Sequence, residues 1–200
     1  MPLAASRTPT ARPALCLRAA WPRLPLQAVL DVAELPRAVA TSSGEKGTRW
    51  MTVELVRASA GDKAVLRRLL QLYHYDFSEW NGDDVDEHGE FGHLYLDHYW
   101  TDADSHPLLI RHAGRWAGFA LVRTAGVNDM SEFFVMRKYR RAGVGREAAR
   151  RLFAMFPGAW QVRQLHGNDA ATAFWRAVVP GGYEETAIDG GLVQRFTIWR

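Results

Sequence analysis

The stretch Met130-Ser-Glu-Phe-Phe-Val-Met-Arg-Lys-Tyr-Arg140-Arg-Ala-Gly-Val-Gly-Arg146 decides the fold. Ser131 to Met136 is short, apolar and rich in β-formers, which predicts a buried strand. A basic loop follows, with glycines at 143 and 145. Glu147 to Phe156 then predicts a helix stopped by Pro157-Gly158. A strand, a glycine-bearing basic turn and a helix start together make an anchor for phosphate. The first-turn N–H groups have no intrahelical partners, the helix dipole favours negative charge, and glycine lets the backbone come close. Arg140, Arg141 and Arg146 add charges that can reach phosphate oxygens. The competing reading of the same residues is a solvated basic turn ahead of an ordinary helix.

The glycine spacing separates the nucleotide loops. Gly143-Val-Gly145 lacks the third glycine of the dinucleotide fingerprint and the Gly-Lys-Ser/Thr ending of the P-loop. Arg140-x-x-Gly143-x-Gly145 instead resembles motif A of the GNAT N-acetyltransferases, Gln/Arg-x-x-Gly-x-Gly/Ala. A second stretch, Asn168-Asp-Ala-Ala-Thr-Ala-Phe-Trp175, resembles the family's Asn-x-x-Ala-x-x-Phe-Tyr through Asn168, Ala171 and Phe174, with Gly182-Tyr183 following. The departure is Trp175, where the family places a Tyr able to protonate the leaving thiolate. An indole N–H donates a hydrogen bond but is not a usable acid. On residues alone, Asn168 reads equally well as a helix cap, and Phe174 and Trp175 as core.

The resemblance covers about residues 52–199 and implies an α/β GNAT acyl-CoA N-acyltransferase fold, a mixed sheet with helices on both faces. It implies that acetyl-CoA is the cosubstrate, with its pyrophosphate held by Arg140, Arg141, Ala142, Gly143, Val144, Gly145 and Arg146. Phe134, Val135 and Met136 would line the thioester by main-chain contacts, and Asn168 and Trp175 would meet the coenzyme. Glu132 resembles the family's general-base position; the alternative is a strand acid paired with an arginine. A backbone N–H near Val135 would polarise the acyl carbonyl. The implied activity is acetyl transfer to a primary amine, with a small cationic acceptor favoured. Protein or peptide acetylation and a non-catalytic acyl-CoA-binding domain are the alternatives.

The rest of the pattern agrees with one domain. Val53–Ala58 predicts a strand, and Ala64, Leu66, Leu69, Leu70, Leu72 and Tyr73 a helix. Leu108–His112 and Trp116–Val122 form a hairpin pattern around Ala113-Gly-Arg. Trp160–Leu165 predicts a strand, Ala170–Val179 a helix and Leu192–Trp199 a closing strand. The expected order is β-α-α-β-β-β-α-β-α-β, with room for one more strand.

Charge is unevenly placed. Residues 1–50 hold seven Lys and Arg against three acids, whereas the remaining 150 hold 18 bases and 19 acids. The basic excess therefore belongs to the N-terminal segment, and the domain shows no global nucleic-acid signature. That segment is rich in Ala, Pro and Arg and reads as a disordered extension or an upstream mis-start; the domain is expected over 51–200. A single cysteine, Cys16, excludes an intrachain disulfide and a Cys cluster. That count, and the lack of any apolar run near the length of a membrane span, fit a cytoplasmic protein, with room for a homodimer.

From Leu69 to Ile110 there is no Lys or Arg. Residues 76–104 carry ten acids, among them Asp76, Glu79, Asp83, Asp84, Glu90, Asp97 and Asp102, interleaved with aromatics. Such a surface attracts a cation; the alternative is a solvated acidic loop. His88, His93 and His98 are five apart, which is not one helix face, so no metal site is expected.

Overall fold

The computed structural model describes residues 52–93 and 95–199; the reading of residues 1–50 falls outside them. The elements are β1 (Val53–Arg57), α1 (Lys63–Asn81), β2 (Ser105–His112), β3 (Arg115–Arg123), β4 (Asn128–Val135), α2 (Val144–Met155), β5 (Gly158–Leu165), α3 (Asp169–Val178), β6 (Glu184–Ile188) and β7 (Gly191–Ile198). They build a seven-stranded sheet in the order β1-β2-β3-β4-β5-β7-β6. Every neighbouring pair is antiparallel except β4–β5.

The sequence explains both faces of the sheet. Leu108 and Leu109 are both buried, yet they join different clusters, because successive strand residues point to opposite sides. Leu109, Phe119, Leu121 and Phe134 pack on Leu66, Leu69, Leu70 and Tyr73 of α1. Leu108, Ala120 and Val122 pack on Leu152 and Phe153 of α2 and Trp175 of α3. Val135 and Ile110 meet Val144 and Ala148 at the start of α2. Helices thus cover both faces of a mixed sheet, as expected.

Local chemistry sets the helix ends. The Asp62 carboxylate accepts from the Ser59 N–H at 3.0 Å and hydroxyl at 2.6 Å just before α1. Gly82 ends α1 in the left-handed conformation, its N–H on Ser78 O at 3.0 Å. Asn168 caps α3, with Oδ1 accepting the Ala171 N–H at 3.0 Å.

Two expectations need correction. Two helices were expected between the first two strands; the described residues hold one α-helix and two short 3-10 turns, at Ala60–Asp62 and Leu96–Trp100. The Gly, Asp and His content of residues 82–93 favours turns over a second helix. The motif helix starts at Val144, not Glu147, because Gly143 itself caps it.

Candidate active site

The site grows from a split in the sheet. β4 and β5 pair in parallel only at Asn128–Trp160, Asp129–Gln161 and Met130–Val162. Beyond Met130 no pairing joins them, although β4 runs on to Val135 and β5 to Leu165. A bulge lies at this point: Leu121 faces Glu132 and Val122 faces Met130, leaving Ser131 as the extra residue. Bulges bend the strand that carries them and re-aim its side chains. The Met136 N–H donates to Ala117 O of β3 at 2.9 Å. Strand alternation therefore turns the Val135 N–H the other way, into the gap.

At the end of β4 the chain makes its glycine turn. Arg141 (φ 64°) and Gly143 (φ 78°) are left-handed, and Gly143 caps α2. The first intrahelical bond runs from the Glu147 N–H to Gly143 O at 3.0 Å. The N–H groups of Val144, Gly145 and Arg146 precede it, so they form the open end of the helix. Glu147, the acid of this turn, is held by Arg150 at 2.9 Å and Arg151 at 2.6 Å, which pushes its carboxyl down to about 2. Its charge is thereby met from the helix side. A Cβ on Gly145 would come within 3.2 Å of the Phe174 ring, so that glycine lets α2 and α3 approach beside the gap. Open amides, a positive helix end and exposed Arg141 and Arg146 are a donor set that fits a pyrophosphate.

Arg140 departs from expectation. Its Nε donates to Val135 O at 2.7 Å, and its Nη2 bonds the Asp76 carboxylate. Arg137 joins Asp76 at 2.9 Å. Arg140 therefore shapes the loop and ties it to α1; its charge is committed within the protein. Trp175 lies in the core. It is 5% exposed, and its ring lies 5.1 Å from Phe133 and 4.9 Å from Phe174 in the core. An indole is large enough to fill that space. Asn168 is likewise buried and engaged as a cap.

Glu132 lies on the α1 face of β4, where its Oε2 accepts from the Tyr73 hydroxyl. Its partner is thus a tyrosine rather than an arginine. The side chain is half-buried. Burial, more than the nearby Asp129, raises its carboxyl to about 7, against the lowering effect of the Tyr73 hydrogen bond. Burial also pushes the Tyr73 hydroxyl well above its ordinary value and Tyr99 up to about 12. Along α1, Tyr73 contacts Phe77 at 4.2 Å, and Phe77 contacts Trp80 at 5.6 Å. A Cβ on Gly167 after β5 would sit 3.6 Å from Trp80, so this aromatic row reaches the β5 side. A separate open cavity of about 500 Å³ is lined by Arg57, Tyr99, Trp100 and Asp102. It does not include the glycine loop.

The acidic stretch is less free than its composition suggests. Asp76 is paired as described, Glu90 with Arg67 at 2.6 Å, Asp97 with Lys63 at 2.6 Å and Asp102 with Arg123 at 3.9 Å. These bases come from outside the Lys- and Arg-free run, which is why the run alone hid them. Sequence reasoning placed Tyr73 in a helical stripe and Asp76 in a charge run. Neither pattern contains a signal for the long-range bonds that give them a place here.

Comparison with known proteins follows the same lines. The model of the Acetyltransferase (GNAT) family matches residues 66–178. No curated protein matches the chain significantly in sequence. An acetyltransferase from Thermus thermophilus superposes with a TM-score of 0.58 at 16% identity, over 74% of this chain and 99% of that one. The aminoglycoside acetyltransferase AAC(6')-Ib in complex with coenzyme A gives 0.54 at 17% identity, over 73% and 95%. The spermidine N-acetyltransferase from Vibrio cholerae in complex with CoA and spermine gives 0.53 at 13% identity, over 72% and 92%. A split mixed sheet with a glycine turn and an open helix end at its edge, together with the family match over more than half the sequence, places this chain in the GNAT acetyltransferase family.

Proposed function

We propose that the protein is an acetyl-CoA-dependent N-acetyltransferase acting on a primary amine, with Glu132 as general base. The observation that carries this reading is Glu132 itself. It is a half-buried carboxyl raised to about 7, beside the β4–β5 gap and three residues before Val135. A base is most useful when its pKa lies near the working pH, and an alkyl ammonium must lose a proton before it can attack.

The amides of Val144, Gly145 and Arg146 would hold the pyrophosphate, with Arg141 and Arg146 adding charge. Acetyl-CoA supplies an activated acyl carbon: the C–N bond forms as the C–S bond breaks. Val135 N–H is placed to donate to the acyl oxygen as charge develops there. Glu132 takes the ammonium proton. Trp175 cannot act as an acid, and Tyr73 and Tyr99 hold their protons too tightly at neutral pH. The thiol group, with a pKa near about 8–9, leaves as thiolate.

A small cationic acceptor is favoured by Glu79, Asp83 and Asp84, which lie at and just beyond the end of α1. The aminoglycoside and spermidine enzymes named above act on amines too, which agrees with this class of acceptor. The test is thiol release from acetyl-CoA across a panel of primary amines, wild type against Glu132→Gln. Amine-dependent release that Glu132→Gln lowers by about 100-fold supports the reading; release without an amine requirement, or unaffected by the substitution, overturns it.

A further inference from the structure

We infer that Tyr73 is a positioning residue for acetyl transfer, its hydroxyl holding the Glu132 carboxylate at the mouth of the β4–β5 gap. This rests on the assignment of Glu132 as base and adds a residue that the motif stretches do not contain. Tyr73 and Glu132 are 59 positions apart and meet only in the fold.

The geometry is built from both sides. The Tyr73 ring is fixed by Phe77 at 4.2 Å, Phe119 at 5.8 Å and Phe134 at 6.0 Å. Such a ring has little freedom, so the position of its hydroxyl is set by the core. Strand alternation puts Glu132 on the same face as Phe134 and therefore beneath α1, and the bulge at Ser131 leaves Met130 on the other face. A carboxylate has two oxygens. Tyr73 engages Oε2, which leaves Oε1 as the acceptor for the amine proton.

The surroundings of Glu132 are defined on each side. From α1 comes Tyr73, from the 3-10 turn Tyr99, and from β4 itself Asp129 and Ser131. The Ser131 hydroxyl donates to Asp129 at 3.0 Å, and Arg163 of β5 lies 3.5 Å from Asp129. From β3, Arg123 acts on Tyr99. Burial and Asp129 favour the neutral carboxyl, whereas the Tyr73 hydrogen bond favours the ionised one. Removing that single hydroxyl therefore moves the balance toward the neutral acid, and the base is lost at a pH where the wild type still has it.

The variant is Tyr73→Phe, which keeps the ring and its packing and deletes the hydroxyl. The direct readout is a pH titration of the Glu132 carboxyl carbon by NMR in 13C-glutamate-labelled protein, its resonance identified by its loss in Glu132→Gln. The midpoint is expected to move to higher pH in Tyr73→Phe, because a hydrogen bond to a charged group has been removed. With spermidine and benzylamine as probe amines, kcat/KM at pH 6 should fall about tenfold and recover as pH rises. Tyr73→Phe should cost nothing further in the Glu132→Gln background, since the two residues act through one bond.

An unmoved carboxyl titration in Tyr73→Phe overturns the inference and leaves Tyr73 as a satisfied core tyrosine. Wild-type turnover in Glu132→Gln overturns instead the assignment of the base. The two failures are thus distinguishable, and the titration needs no knowledge of the natural acceptor. Should Tyr73→Phe lose its cooperative melt, 3-fluorotyrosine at position 73 keeps the hydroxyl and the ring while changing its donor strength. A displacement of the Glu132 midpoint toward lower pH is then required, because fluorine makes the hydroxyl a stronger donor to the carboxylate.

Discussion

Gly118→Ala is the sharpest probe of the geometry, because it acts on the motif strand without substituting any residue of the motif. Gly118 lies on β3 opposite Val135. A Cβ built there overlaps the Phe134 carbonyl oxygen and comes within 2.9 Å of Phe134 C and 3.0 Å of Val135 Cα. All three are main-chain atoms of β4, so no rotamer change relieves them. Ordinary carbon contacts lie at about 3.5–4.0 Å, so β4 must retreat by roughly an ångström. Overpacking of this kind costs about 3 kcal/mol, at the upper end because backbone has to move. For a domain of this size that lowers Tm by about 10 °C. The same displacement carries Glu132 and the Val135 N–H, and an ångström of misplacement costs about 100-fold in rate. Thermal melting by circular dichroism and kcat/KM from thiol release test both consequences. A variant melting within about two degrees of wild type, with activity within about twofold, would refute the close approach of β3 to β4 on which the reasoning rests.

Glu132→Gln should change stability with a definite sign. The folded carboxyl titrates near 7, so between the ordinary glutamate range and that value the folded state holds the extra proton, and wild-type stability falls as pH rises through the window. Urea unfolding should therefore show the variant gaining on wild type above pH 7, by on the order of 1 kcal/mol, and not at pH 4. Gly143→Ala forces a side chain into a φ of 78°, and Gly145→Val presses on Phe174; calorimetry should show coenzyme A affinity reduced at least about tenfold in each, with wild-type affinity contradicting the phosphate assignment. His93, 3.2 Å from His74, is pushed down to about 4 by burial, and His74 is lowered as well. His93 therefore stays neutral in the folded protein down to about 4, so stability is lost as pH falls from about 6.5 toward 4, and His93→Gln should flatten that decline. Asp76→Asn unties Arg137 and Arg140 from α1; because both guanidinium groups reach solvent, the loss should be about 2 kcal/mol rather than the full cost of breaking a buried pair, together with weaker coenzyme A binding in the same titration.

The sheet and the glycine turn were legible because their signals are local. Apolar runs on either side of Ala113-Gly114 mark β2 and β3, the stripe of Leu66, Leu69, Leu70 and Tyr73 marks α1, and Arg140-x-x-Gly143-x-Gly145 carries its own backbone requirement at Gly143. Contacts between distant residues were not legible. Nothing near Glu132 in sequence announces Tyr73, and nothing near Arg140 announces Asp76, 64 positions away. A basic loop with three arginines reads as three free charges, yet one of them, Arg140, is tied to Asp76 and to Val135 O. An aromatic in a matched motif position, Trp175, reads as a ligand contact, yet the core between Phe133 and Phe153 takes it. In each case burial and pairing, which composition does not encode, decide the role.

The split between β4 and β5 asks the protein to hold a strand in place after one of its neighbours has left it. Pairing with β5 ends at Met130, yet Glu132 and Val135 have to be held more precisely than the strand before them. β3 supplies one side, approaching so closely that only glycine fits at 118. α1 supplies the other through two residues one turn apart, Tyr73 on Glu132 and Asp76 on Arg137 and Arg140. Arg140 then returns to Val135 O, so the carbonyl freed by the split is satisfied from within the loop that follows it. The proposed base and the proposed phosphate turn are thereby referenced to a single helix face, and a shift of α1 would displace both together. A helix that carries two such ties cannot be exchanged for another apolar stripe of equal area, which is why its polar positions, and not its leucines, carry the functional information.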